Sequence, residues 1–464
     1  MKRVTETLTP ALLRAFLSPV PWNTQRALEQ AASRVPEDLR NPRQFLGRQY
    51  AGCGATIGTM PRCDFACRGC YLGPRANQIS PIAVSEVFRQ MDRIRAWLGE
   101  GGNVQITDGE VTLREESELV AIIRYSREIG LIPMLMTHGE GLRRDSDFLA
   151  RLMVQGGLTE LSIHVDTTQR GRSGSCYKLA VHEEELNPLR EEFADLIRRL
   201  RRKTHRPLKV VSTVTVTKEN LAGVPSVMRC MLRNADVFSL ISFQPIAQVG
   251  RTEGGLGGSA SVEELWRRIA EGLYGDPSLA ESLLEHQVWF GHPGCNRSVQ
   301  GLTVTEEGRD PEFMPLVRSG HAQDESFLFA WADRFGGIQF RGDTRLVAAC
   351  RLLGLVRSAP ALILGGGSRF LLRQLSRVAR GPTLPFLWRW FRRRARVDYF
   401  NVVSHHFMSA SELDTPDGQE RLDLCVFKVP VGDQFVSMCE LNSRGARDQF
   451  YAQMKRSARE PIAT

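Results

Sequence analysis

The sequence predicts an α/β protein: a partial (β/α)6 barrel of the TIM type with a C-terminal α+β extension. Two observations predict it. Short apolar, β-branched runs alternate with longer helical stretches across residues 51–255, the pattern of βαβ units in a parallel sheet. The runs number six, fewer than the eight of a complete barrel.

In chain order, residues 1–50 read as an N-terminal helical segment. "ATIGTM" then precedes a cluster of cysteines. "NVQIT" leads to Asp108, "IPMLMT" ends at Thr137, "LSIHVD" at Asp166, "KVVSTVTV" at Val216 and "VFSLISFQP" at Pro245. Helical patterns at 84–98, 115–129 and 184–202 separate them. The Gly/Ser-rich stretch "RTEGGLGGSAS" marks the end of the barrel unit, 51–255. Residues 256–345 form a post-barrel region containing Cys295, 346–397 basic amphipathic helices, and 398–464 a closing cap with Cys425 and Cys439. The strand-like runs "LCVFKVPV" and "QFVSMCEL" lie in that cap.

Composition sets the outer limits. Hydrophobic residues make up 42% and charged residues 24%, ordinary for a globular protein. No stretch approaches the ~20 apolar residues of a membrane span. The first residues lack a convincing signal peptide, which places the chain in the reducing cytoplasm. There its ten cysteines are expected free or metal-bound rather than paired in disulfides.

Three of those cysteines, Cys63, Cys67 and Cys70, stand in "CDFACRGCYLG" with C-x3-C-x2-C spacing. Soft thiolates suit an iron–sulfur cluster, and three of them leave one iron open. A zinc site would use two C-x2-4-C pairs, and no second pair lies nearby. Chance clustering of buried cysteines is the plainest alternative. With Tyr71 following, after a first strand, the motif resembles the radical S-adenosylmethionine superfamily. That resemblance implies a [4Fe-4S] cluster whose open iron binds S-adenosylmethionine. It further implies reductive cleavage to a 5′-deoxyadenosyl radical, an oxygen-sensitive enzyme, and a reductant such as flavodoxin or ferredoxin.

"TDGEVTL", residues 107–113, is similar to the superfamily's Gly-Gly-Glu-Pro segment, with Asp108 and Val111 departing from it. Gly109 permits close backbone approach. Asp108 and Glu110 offer acceptors for the ammonium group of the bound methionine; a simple turn is the alternative. "SFQPIAQVGR", containing Gln244, is similar to the sixth strand, beside the adenine. His138 in "MTHGE" is a site candidate. Asp166 suits either the ribose hydroxyls or the cap of the following turn, and shares a strand face with Ser162 and His164.

Later cysteines form a second candidate set. Cys295 in "GHPGCN", Cys425 in "DLCVF" and Cys439 in "SMCELN" suit an auxiliary iron–sulfur cluster, with Cys53 as a possible fourth ligand; small buried hydrophobes are the alternative. His405 and His406 form a weaker signal. The H-P-x-C segment and the late C-x-x-N resemble the archaeal tetraether-lipid synthase group and its bacterial relatives. Gly291 stands where that pattern would place a further cysteine.

The net charge is +9, and residues 368–397 hold nine arginines and no acid. Arg369, Arg373, Arg377 and Arg380 share one helical face; Leu371, Leu375 and Val378 share another. Trp388, Trp390 and Phe391 follow among arginines. This composition suits an anionic membrane surface, each basic residue adding roughly 1 kcal/mol. Nucleic-acid phosphates and a solvated or protein-facing surface are the competing readings.

The expectation is therefore a radical enzyme at the inner membrane face that abstracts hydrogen from a C–H bond of a lipid. A maturase or methyltransferase acting on peptide or RNA is the second reading. A non-catalytic, metal-stabilised protein that binds nucleic acid is the third.

Overall fold

The computed structural model describes residues 2–172, 175–252, 258–340 and 343–457. Residues 253–257 of the glycine-rich boundary stretch lie outside the described residues. Eleven strands form one curled sheet. They are β1 (Cys53–Ala55), β2 (Asn103–Ile106), β3 (Ile132–Thr137), β4 (Glu160–His164), β5 (Lys209–Val216), β6 (Phe238–Pro245), β7 (Asn296–Glu306), β8 (Glu312–Pro315), β9 (Ala395–His405), β10 (Phe427–Val431) and β11 (Gln434–Ser437).

Strands β1 to β6 pair parallel, each with the next in chain order. This is the predicted half-barrel. The extension completes the sheet at both edges. At one edge β10 pairs parallel with β1 and β11 turns back on β10. At the other, β9 runs parallel to β6 and carries the antiparallel strands β7 and β8.

Alternation within each strand sorts its side chains. Outward-facing Val104, Ile106, Leu135, Ile163, Val210, Val214, Ile241 and Phe243 pack in one core with the flanking helices. Helix Val84–Leu98 contributes Val87, Met91, Ile94 and Leu98, a spacing that keeps one face on the sheet. Each such buried side chain is worth about 1.5–3 kcal/mol of transfer free energy. The inward-facing residues are mostly polar. Ser162 and Thr213 hydroxyls lie 3.2 Å apart, as do Thr215 Oγ1 and His164 Nε2. Gln244 Nε2 donates to Ser242 Oγ at 3.4 Å.

The first strand is shorter and earlier than "ATIGTM" suggests. Beyond Ala55 side chains take over from the ladder: Ile57 N–H donates to Gln90 Oε1 at 2.9 Å, and Gly58 N–H donates to the Asp108 carboxylate. Chain is thereby released into the cysteine loop. Among the described residues, no helix is long and apolar enough to cross a membrane.

Candidate active site

The cysteine loop lies over the C-terminal ends of the barrel strands, where parallel α/β folds build their sites. Its backbone is laced to neighbouring strand ends. Ala66 N–H donates to Arg170 O at 2.8 Å, Arg68 N–H to Thr168 O at 2.9 Å, and Arg251 N–H to Cys70 O at 3.0 Å. Gly69 adopts φ +79°, and a Cβ there would meet Ile246 Cδ1 at 2.7 Å. Only glycine turns the chain between Cys67 and Cys70 without strain.

Cys63, Cys67 and Cys70 are free thiols. Burial pushes Cys63 up to about 12. It raises Cys67 and Cys70 as well, and the charges of Cys63 and Cys70 add to the effect on Cys67. Buried Arg172 stands beside them. Burial lowers its guanidinium to about 10, while Glu140, Asp166 and Cys67 oppose that shift. Arg172 donates to His138 O at 3.1 Å and His164 O at 2.8 Å, and its Nε is buried without a hydrogen-bond partner.

His138, at the end of β3, stacks on Phe65 with centroids 3.7 Å apart. Its Nε2 lies 2.8 Å from Asp64 Oδ1 and 3.2 Å from Glu110 Oε2. Cys63, Asp64 and His138 thus converge. Gly109 presses against the chain entering the cysteine loop: its N–H donates to Met60 O at 2.6 Å, and a Cβ would collide with Arg62 O.

The two acids beside Gly109 are already engaged. Glu110 accepts from Thr112 Oγ1 and Thr137 Oγ1, both at 2.6 Å, and from His138 N–H at 2.9 Å. Asp108 has φ 144°. Its carboxylate takes Gly58 N–H, Arg447 Nη1 and Tyr451 Oη, the last at 2.5 Å. Burial raises the Asp108 carboxyl, with Arg447 opposing. Tyr71 Oη donates to Asp108 O at 2.5 Å, and Arg447 lies over the Tyr71 ring at 4.7 Å. Both carboxylates that the sequence offers as acceptors for an ammonium group are hydrogen-bonded within the protein. Arg447 and Tyr451 come from helix Ala446–Ser457, more than 300 residues away in sequence. Nothing near "TDGE" announces them.

Asp166 is wholly covered. It accepts from Thr168 N–H at 2.8 Å, Thr168 Oγ1 at 2.6 Å and Thr215 N–H at 2.7 Å, and pairs with His164. Burial opposes its ionisation, yet His164 and these donors hold it below the usual carboxylate range. Its contacts to Thr168 cap the turn after β4. His164 and Gln244 face the lumen.

The second cysteine set lies on three segments of the extension. Cys295 follows a turn before β7, Cys425 precedes β10, and Cys439 lies in helix Met438–Asn442. Burial lifts Cys425 to about 11 and Cys439 to about 12; Cys295 adds to both shifts. Arg421 Nε donates to Cys295 Sγ at 3.5 Å, and Met408 N–H to Cys439 Sγ at 3.4 Å. His406 N–H donates to Cys295 O at 2.8 Å. The Cys53 thiol donates to Asn103 Oδ1 at 3.1 Å and accepts from Gln105 Nε2 at 3.4 Å. Gly291 adopts φ +81°, and a Cβ would meet Leu424 O at 2.6 Å.

SuiB of Streptococcus suis bound to S-adenosylmethionine has a TM-score of 0.35 and 13% identity, over 49% of this chain and 48% of that one. SuiB bound to its precursor peptide SuiA gives 0.35 and 13%, over 49% and 46%. The structure of anSMEcpe with bound AdoMet and the Cp18Cys peptide gives 0.35 and 13%, over 48% and 58%. The matches span about half the length of those chains. No curated protein sequence matches. Residues 57–231, from the entry to the cysteine loop into the helix after β5, match the Radical SAM superfamily.

Proposed function

We propose that Cys63, Cys67 and Cys70 hold a [4Fe-4S] cluster with one open iron, and that the enzyme abstracts hydrogen from a C–H bond of a polar substrate seated in the half-barrel. The observation that carries this reading is the loop itself: three free thiols on one short loop over the strand ends. The donor set fits the group. Thiolates suit iron, Gly69 supplies the turn, and buried Arg172 offsets negative charge beside Cys67. When bound, the cluster supplies the electron that cleaves S-adenosylmethionine.

The chain's own residues position and shield. Phe65 stacked on His138 fixes the wall beside Cys63. Gly109 lets the end of β2 approach the loop. Arg447 and Tyr451 hold Asp108, and through its backbone Tyr71. Gln244, Ser242, Thr213, Thr215 and His164 present hydrogen-bonding groups to the lumen. That lining supports the peptide or RNA reading over a lipid chain, which offers no partners to such groups. A flavodoxin or ferredoxin serves as reductant.

Cys295, Cys425 and Cys439 hold an auxiliary cluster in this reading. Iron counting after anaerobic reconstitution tests it. Wild type should carry about eight iron per chain and the Cys295→Ala, Cys425→Ala, Cys439→Ala triple variant about four. Equal loading near four in both would remove the auxiliary cluster.

A further inference from the structure

The basic tract is folded the opposite way from an ordinary amphipathic helix. In helix Ser368–Ala379, Arg373 and Arg377 turn toward the protein, as does Arg380 just past its end, while Arg369 stays exposed. Arg373 Nε donates to Asp324 Oδ1 at 2.6 Å, Arg377 Nη2 to Pro315 O at 3.0 Å, and Arg380 pairs with Glu312. Leu371 and Leu372 face solvent instead. The next helix, Thr383–Phe391, buries Phe386 alone. Leu384, Trp388 and Phe391, at i, i+4 and i+7, share one face; Leu384 is 79% and Phe391 82% exposed.

This exposure is concentrated. Of the 21 exposed large hydrophobic residues among those described, ten lie between Leu346 and Phe391. Single exposed apolar residues are unremarkable, but a concentration marks an interaction surface. Charge indicates the partner. Residues 345–397 contain twelve arginines and no acidic residue. Arg389, Arg394 and Arg396 pair with acids elsewhere in the chain. Arg369, Arg392 and Arg393 have no acidic partner among the described residues, and Arg392 lies over the Trp388 ring at 4.5 Å. A second copy docking face to face would oppose arginine to arginine. Bases would stack on the tryptophans but leave the leucines unused. The helices 345–358 and 361–379 meet at 97°.

We propose that residues 345–391 dock on an anionic lipid bilayer, with Leu384, Trp388 and Phe391 entering the interface and Arg369, Arg392 and Arg393 meeting the headgroups. Three free arginines, not all nine of residues 368–397, carry the electrostatic attraction.

Sedimentation of the full chain with vesicles tests this. Wild type should bind phosphatidylcholine vesicles carrying phosphatidylglycerol, and bind pure phosphatidylcholine more weakly. Leu384→Ser with Trp388→Ser and Phe391→Ser should weaken binding at least about ten-fold. Arg392→Gln with Arg393→Gln should weaken it roughly 30-fold. Both variants should retain S-adenosylmethionine cleavage, which separates docking from the chemistry. Absence of wild-type binding, or variants that bind equally, would overturn the proposal. So would a wild-type dimer that the triple variant abolishes, with no vesicle binding by either.

Discussion

Breaking the contact between Arg447 and Asp108 should destabilise the protein as a buried ion pair does, not as a surface one. Both side chains are at least 96% buried, and the pair ties the last described helix to the end of β2. Arg447→Met leaves a carboxylate in a dry site, and Asp108→Gly leaves a guanidinium there. Either loss should cost about 3–5 kcal/mol. Asp108→Gly recovers part of this, because φ 144° strains any residue but glycine by about 1–3 kcal/mol. At roughly 2.1 cal/mol/K per residue, this 464-residue chain has an unfolding entropy of about 1 kcal/mol/K. Arg447→Met should therefore lower Tm by about 3–5 °C. Removing both groups leaves no uncompensated charge, so the double variant should cost less than the two singles together, by about 2–3 kcal/mol. Urea denaturation of wild type, both singles and the double measures that coupling. Additive losses would show that the clamp is not a unit and refute the reasoning.

Gly69→Ala should strain the cysteine loop by about 1–2 kcal/mol and push against Ile246; iron retained after reconstitution should fall, while far-ultraviolet circular dichroism stays unchanged. Asp324→Asn should cost about 2–3 kcal/mol, read from the urea midpoint, because the carboxylate holds Arg318 and Arg373. Burial opposes ionisation of Asp324, but these two arginines lower its pKa overall. Its contribution to stability should be complete above about pH 4 and lost as pH falls further through the depressed folded value. Midpoints measured against pH should lose part of their acid slope in the variant.

The barrel was legible because its strands are β-branched runs punctuated by helices. "KVVSTVTV" corresponds residue for residue to β5. The C-x3-C-x2-C spacing is local, so it too could be read. Strands β7 and β9 escaped because their side chains are mixed: Ser298 and Thr303 are as buried as Val299, which blurs the period-two pattern. Long-range partners escaped for another reason. Asp108 looks like a free acceptor until Arg447 and Tyr451 arrive from the far end of the chain. The arginine helix shows two faces in sequence, but Asp324, nearly fifty residues upstream of Arg373, decides which one turns inward.

Anaerobic turnover tests the central claim most directly. Protein reconstituted with iron and sulfide would be given S-adenosylmethionine and dithionite, and 5′-deoxyadenosine would be measured for wild type and Cys67→Ala. The account predicts 5′-deoxyadenosine from wild type and none above background from the variant. Equal production by both, or a wild type that binds zinc and no iron, would contradict it.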